Sequence, residues 1–313
     1  MDTQDQKIAL ESQLVNALIS ENKSTRRWKN FRFIVWLCFF LFFIYMLMRP
    51  DTDVMAPATP NGSYVSLIRL DGIIMPGAIF SARYVIPELN YAFRDKESKG
   101  IVLLINSPGG SPVQASIIHD KIMQLKKKYH KTVIVVGEDA LASGAYLVAT
   151  AADKIFVNKD TITGSIGVIM NGFGFTDAIK KLGITRRVFT AGENKDRLDP
   201  FTTLNPQDVE KMHQILRAVH KDFIDDVVAG RQGKLRSDPK VLFSGDFWTG
   251  TQAVTLGLVD GTENIWEAME NTFGTIRYRD YTPRLPLWQE FIRDTSTQLN
   301  FKWLNHARLE EMI

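Results

Sequence analysis

The stretch from Thr132 to Ala152, TVIVVGEDALASGAYLVATAA, sets the strongest limit on what this chain can become. Its first part, Thr132 to Gly137, is rich in valine and isoleucine and lacks apolar/polar alternation, so it reads as a strand buried on both faces. After a short polar turn the chain becomes Ala-Ser-Gly-Ala-Tyr-Leu-Val-Ala, dense in helix formers and in small side chains that permit close packing. Ser143 thus falls near a strand-to-helix junction, where free backbone N–H groups and the positive end of a helix dipole face whatever lies beside them. Such a place suits a nucleophile. It equally suits an ordinary N-cap serine.

Around this stretch, strands and helices alternate. Tyr64 to Leu70 reads as a strand turned by Asp71-Gly72, Pro87 to Arg94 as a helix, and Gly100 to Ile105 (GIVLLI) as a second buried strand. The helix expected over Pro112 to Tyr129 carries Val113, Ile117, Ile118, Ile122 and Leu125 on one face. Further on come short strands at Lys154 to Val157 and Ile184 to Phe189, with a short helix over Asp177 to Leu182 between them. Asn205 then caps a long helix with Pro206 in its first turn, and Val209, Met212, Leu216, Val219, Phe223 and Val227 form a stripe expected to pack. Gly245 to Asp260 reads as a turn, a short helix and a strand, and Ile265 to Phe273 as the last helix of the domain. The order argues for right-handed βαβ units and a parallel sheet covered on both sides.

Between the second strand and its helix lies INSPGGS, Ile105 to Ser111. Adjacent glycines at the carboxyl end of a buried strand let the backbone approach a ligand and turn its N–H groups inward. No GxxxxGKS pattern is present, so an oxyanion hole fits better than a phosphate cradle, although Ser-Pro-Gly-Gly is also a common turn. Ser165 sits in a glycine-punctuated segment, TITGSIGVIM, and Lys195 in the polar run TAGENKDRLDPF, where a lysine is by default a solvated charge.

Composition removes several functions. The formal charge of +3 on 313 residues is too small and dispersed to argue for nucleic acid. One cysteine, Cys38, leaves no disulfide within one chain, and the 5 histidines lack ligand spacing, so neither a metal nor a cofactor is expected. The run from Phe33 to Met48 is uncharged and apolar, with Arg32 and Arg49 placed to snorkel, and reads as a membrane span. A long polar stretch before it and no small-x-small site directly after it argue against a cleaved signal peptide. Basic residues precede the span and Asp51 and Asp53 follow, so the N-terminus is expected in the cytoplasm and the rest outside it. The chain then divides into a cytoplasmic segment (1–32), an anchor (33–48), a proline-bearing tether (49–63), a catalytic domain (64–274) and a tail (275–313) placed to pack on a neighbouring subunit.

INSPGG, ASGAY, TGSIGV, GENKDRLDPF, a long helix and GLVD, in this order after one N-terminal span, resemble the S49 peptidases, the signal peptide peptidase A family, in its short single-copy bacterial form. The resemblance covers about Val65 to Ala268. It implies an α/β fold of the Clp/crotonase type, a stack of ββα units behind an N-terminal transmembrane helix. By the same resemblance Ser143 matches the nucleophile, Lys195 the general base and Ser165 a serine that hydrogen-bonds the lysine amine. Gly109 or Gly110 matches the oxyanion-hole strand end, with the N–H of Gly144 as second donor. Ala145 and Leu147 stand where many relatives carry glycine and an aromatic residue. The chemistry agrees: a serine hydroxyl needs a base, no His/Asp pair or metal site is recognisable, and a lysine serves as base only when neutral.

The expected function is a membrane-anchored serine endopeptidase that cleaves short apolar peptides such as remnant signal peptides outside the cytoplasm, in the periplasm if the cell is Gram-negative. In the family's long form the serine and lysine come from different halves, so a single-copy chain is expected to form a homo-oligomeric ring in which Ser143 of one copy faces Lys195 of the next. A stomatin-associated membrane protease is the nearest alternative, and a crotonase-like acyl-CoA enzyme is the alternative from another class.

Overall fold

The computed structural model describes residues 26, 28–45 and 62–284. The expected cytoplasmic segment, the end of the anchor, most of the tether and the tail beyond Arg284 lie outside the described residues. The structure has two units, one holding the N-terminal helix and the other spanning Met55–Arg284. In the first, α1 is described over Trp28–Tyr45 and is long and apolar enough to cross a membrane. It begins five residues before the expected anchor and is lined by Trp28, Phe31, Trp36 and Phe39 in edge-on aromatic pairs.

The second unit is built on a mixed sheet. Strand β1 (Tyr64–Asp71) is followed by α2 (Ala82–Arg94), β2 (Ser98–Ser107), α3 (Pro112–Tyr129) and β3 (Thr132–Ala142). These strands are parallel, in the order β1-β2-β3. Side chains alternate between two cores, as a strand's period of two requires. Ile101, Leu103, Ile105, Val133 and Val135 pack on the helix-covered face, while Val102, Leu104, Ile134 and Val136 face the other way. That second core is closed by Ala268 and Met269 of α9 (Ile265–Phe273). The uninterrupted apolar runs in β2 and β3 therefore mark burial on both faces.

The strand through Thr132 does not stop at Gly137. A bulge between β2 and β3 sets Ile105 opposite Gly137 but Ser107 opposite Leu141, so the supposed polar turn is a kink within one longer strand. The Asn106 side chain holds the kink: its Oδ1 accepts from the Ala140 N–H at 3.1 Å and its Nδ2 donates to Asp139 at 2.9 Å. Before the kink β3 pairs with β4 (Lys154–Val157), and after it with β5 (Ile162–Gly164). The strand leads directly into α4 (Gly144–Thr150).

Four further expectations are corrected. The segment Ile184 to Phe189 is coil, not strand; no other strand of the described chain pairs with it, and Phe189 is 93% exposed. The long helix α6 (Pro206–Gly230) is capped by Asn205 as expected, yet only Phe223 and Val227 of its apolar stripe are buried, because only its C-terminal part reaches the core. On α3, Ile118, Ile122 and Leu125 are buried but Val113 and Ile117 are exposed. The short helix α5 (Thr176–Lys181) lies between β5 and α6. The sheet also extends past the expected domain boundary at residue 274, since Tyr278–Asp280 forms β8 (β6 and β7 being Phe247–Thr249 and Gly261–Thr262) and pairs with β1.

The GLVD sequence, where a strand is expected, is turn and bend and forms a structural clasp. Arg231, which ends α6 and is 2% exposed, donates through Nη1 to Asp260 at 2.6 Å and through Nε and Nη2 to the Gly257 carbonyl at 3.1 and 3.0 Å. Asp260 also accepts from the Ile155 N–H at 2.8 Å and pairs with Lys234 at 2.8 Å. Burial works to raise the Asp260 pKa, but hydrogen bonds from Arg231, Lys234 and Ile155 outweigh it and hold the carboxyl below its ordinary value. A carboxylate lowered in the folded state stabilises above its unfolded pKa, and the contribution is lost as the pH falls through the folded value. Arg231→Ala, which leaves that carboxylate buried without its main partner, is expected to cost about 3–5 kcal/mol. Chemical denaturation of the full chain in detergent checks this. The wild type should also lose stability below about pH 4, and Asp260→Asn should lose less of it on acidification.

Candidate active site

Ser143 is the last residue before α4, and its backbone is the most constrained point of the domain. Its φ of 53° and ψ of −126° lie in a region that L-residues rarely adopt. Two hydrogen bonds hold it there, from its N–H to the Gly164 carbonyl of β5 at 2.8 Å and from the Leu147 N–H to its own carbonyl at 3.0 Å. It occupies the N-cap position, yet its side chain makes no capping hydrogen bond. The serine thus does not cap the helix it precedes, and it lines a cleft.

Opposite it runs the glycine loop between β2 and α3. The Ile74 N–H donates to the Gly109 carbonyl at 2.8 Å and the Ser111 N–H to the Ile74 carbonyl at 2.7 Å, so this bridge does not use the amide of Gly110. Gly109 has φ of 99°, and a Cβ there would stand 2.7 Å from the Ser143 Cβ and 2.8 Å from the Gly144 nitrogen. Only a bare Cα allows that approach. A Cβ on Gly144 would lie 3.5 Å from the Gly110 nitrogen, so the two residues lie close together. Gly144 is the first residue of α4, where an N–H has no partner within the helix. Ser143, Gly110 and Gly144 line one cleft of about 290 Å³.

The other expected residues are placed differently. Ser165 follows the β5 residue that pairs with Ala142, has φ of 49° and donates its N–H to the Asp246 carbonyl at 2.7 Å, but it does not line the cleft. Lys195 is exposed and is not among the cleft residues. It belongs to an arm over residues 168–204 that closes on itself, with Arg186 paired to Asp199 at 2.7 Å and Phe175 stacked on Phe201. The arm leaves Ile169 and Phe173 81% and 82% exposed.

The far wall of the cleft is formed by α6, through Val219, Asp222, Phe223 and Asp226. The two carboxylates escaped the reading of the sequence. Their signal was present, since they stand three residues after Val219 and Phe223 of the apolar stripe and so share that face. His220 fixes this helix to the segment after Ser165, its Nε2 lying 3.1 Å from the Ile166 carbonyl. Among the described residues no group of three metal-ligating side chains is found.

Strain at a non-glycine residue in such a conformation costs about 1–3 kcal/mol, and glycine relieves it at an unfolded-state cost of about 0.4–1 kcal/mol. Ser143→Gly is therefore expected to be more stable than Ser143→Ala by about 1 kcal/mol. Thermal unfolding of the two variants checks it; a Ser143→Ala protein as stable as Ser143→Gly would show that the backbone there carries no strain.

Comparison with known proteins gives the family. The model of Peptidase family S49 matches residues 125–272, and that of Clp protease matches residues 63–162. A Brucella melitensis protein named Na(+)/H(+) antiporter NhaA is 42% identical over 215 residues, which are 67% of this chain but 29% of that protein. The chain thus spans less than a third of that relative, whose name describes a much longer molecule. Protease 4 of Haemophilus influenzae is 30% identical over 67% of this chain and 34% of its own length. The Synechocystis sp. protein slr0021, whose name marks it provisionally as a protease, is 33% identical over 66% of this chain and 72% of its own length. With an α/β sheet of the Clp protease type, a serine held in a strained turn beside two glycines, and these matches, the chain belongs to peptidase family S49.

Proposed function

We propose that the chain is a membrane-anchored serine endopeptidase in which Ser143 is the nucleophile and Lys195 of a neighbouring copy is the general base. The observation that carries this reading is the strained Ser143 itself, relieved of any capping duty and set in a cleft with the amides of Gly110 and Gly144. In the first step the Ser143 hydroxyl attacks the scissile carbonyl while the lysine amine takes its proton. The Gly110 and Gly144 N–H groups stabilise the resulting oxyanion, a contribution of about 2.7–4 kcal/mol per donor in measured cases. The lysine then returns the proton to the departing amine, and water, activated by the same lysine, hydrolyses the acyl-enzyme. Ser165 orients the amine.

Sharing the site between copies is supported by what one chain leaves open. Lys195 is exposed and stands off the cleft, on an arm whose apolar side chains are uncovered. The strand-like sequence Ile184 to Phe189 pairs with no other strand of the described chain. A head-to-tail neighbour would cover both and close naturally into a ring. The substrates in this reading are short apolar peptides such as remnant signal peptides, cut outside the cytoplasm by a domain tethered through α1.

Mixing two inactive variants tests the shared site. If Ser143→Ala and Lys195→Ala copies assemble at random in equal amounts, about a quarter of the interfaces of a heterologous ring join an intact serine to an intact lysine, and about that share of activity returns. Mixed rings that contain both variants by tagged co-purification and remain inactive would rule the arrangement out. For the anchor, a reporter fused after Ser63 is expected to behave as extracytoplasmic and one fused at Asn30 as cytoplasmic, which alkaline phosphatase and fluorescent-protein fusions read directly.

A further inference from the structure

The wall that α6 contributes to the cleft is not uniformly apolar. Val219, Asp222, Phe223 and Asp226 follow the spacing of one helix face, so the two carboxylates stand beside the apolar side chains that line the same space. Across from them are Val113 and Ile117 of α3, both exposed, with Leu147 of α4 completing the apolar lining.

The acidic groups nearby are not equivalent. Asp225 pairs with Lys221, and Asp120 lies 3.2 Å from the Nδ1 of His119. Among the described residues neither Asp222 nor Asp226 has an ion-pair partner within 4.0 Å. Asp226 is half-buried, and burial raises its pKa above the ordinary carboxylate value; His119 opposes the rise, while Asp120, Asp222 and Asp225 add to it. A carboxylate that has given up part of its water without gaining a counter-ion is unfavourable by itself and is satisfied by a cation.

An apolar-walled cleft with two unpaired carboxylates on one wall is complementary to a particular shape. Lysine and arginine have it, with a chain of methylenes ending in a charge. The same cleft contains Ser143 and the two amides, so the occupant is a side chain close in sequence to the bond being cut.

We infer that the cleft selects peptides carrying a lysine or arginine next to the scissile bond, with the stem packed on Val113, Ile117 and Phe223 and the charge met by Asp222 and Asp226. This rests on the proposed peptidase reading and narrows its substrates from apolar peptides to apolar peptides with a flanking basic residue. An acidic residue at the same place is excluded by repulsion.

The test uses the full chain in detergent and fluorogenic peptides that differ at one residue beside the cut, lysine in one and norleucine in the other, which keeps the stem and removes the charge. The wild type is expected to favour lysine about tenfold in kcat/KM at low salt, the scale of two partly solvated ion pairs, with the preference shrinking as salt is added. In Asp222→Asn/Asp226→Asn the ratio is expected to fall to about one, whatever absolute rate that variant retains. Each single variant should show an intermediate ratio, which keeps the test open if the double variant folds poorly. A wild-type ratio of one, or a ratio unchanged by the substitutions, overturns the inference. So does dissociation of the assembly in the variant with the ratio intact, since the carboxylates would then serve a neighbouring copy.

Binding of the two peptides to Ser143→Ala, followed by fluorescence anisotropy, separates this inference from the peptidase reading. Preferential binding of the lysine peptide with no turnover by the wild type sinks the peptidase reading and leaves the selectivity standing. Turnover without any preference does the reverse.

Discussion

Everything at the cleft depends on how β3 changes partner. The Asn106 amide receives one backbone N–H of the bulge and donates to Asp139, and beyond that point the strand leaves β4 and joins β5. Pairing with β5 brings the Gly164 carbonyl to the Ser143 N–H. The residue after the strand, Ser143, therefore gives its amide to a neighbouring strand and must itself enter a helix from a direction no relaxed L-residue takes. Strain at Ser143 is sustained because the sheet on one side and α4 on the other are each well formed. Asn106 belongs to the same short sequence that supplies Gly109 and Gly110, so one loop both steers the strand that carries the serine and lies against it.

The second wall has a separate origin. It comes from α6, which follows the serine by more than sixty residues and is fastened by Arg231 to Asp260 and to the Gly257 carbonyl. Tyr146 of α4 donates to the Leu258 carbonyl at 2.6 Å, so the helix that begins at the serine and the loop that anchors α6 share one buried set of polar contacts. The cleft is therefore a seam between the sheet's strand ends and a later helix that is fastened through Arg231.

Much of this was legible in the sequence, and the reasons differ by element. The buried strands at Gly100 and Thr132 were readable because burial on both faces writes an unbroken apolar run. Asn205 and Pro206 marked a helix start because capping is local chemistry. The continuation of β3 through Glu138 and Asp139 was hidden, since a bulge is stabilised by a side chain from the adjacent strand and leaves polar residues where a turn would also have them. Ile184 to Phe189 has a strand's composition without a strand's partner, and composition cannot report a missing neighbour. The apolar stripe of α6 gave the correct face but not its extent of burial. Asp222 and Asp226 were overlooked because a carboxylate on a long polar helix looks like solvated surface until the opposite wall is known. That Ser143 makes no capping hydrogen bond, on which the proposed site depends, is a matter of φ and ψ and is not legible in the sequence.

The fastening of α6 has a mechanical consequence. The helix runs for 25 residues, about 37 Å; its buried residues, Phe223, Val227 and the capping Arg231, lie toward its C-terminal end, with His220 held to the Ile166 carbonyl just before them, while near its start Asp208 pairs with Arg197 of the arm. It is a cantilever. A beam of this kind deflects most at its far tip and least at its root, and the residues facing the cleft, Val219 to Asp226, lie toward the root. Displacement of the outer half, or of the arm that leads into it, is thus attenuated before it reaches the cleft. The chain joins a large, uncovered outer surface to a chemically exacting interior through a lever whose short end faces inward.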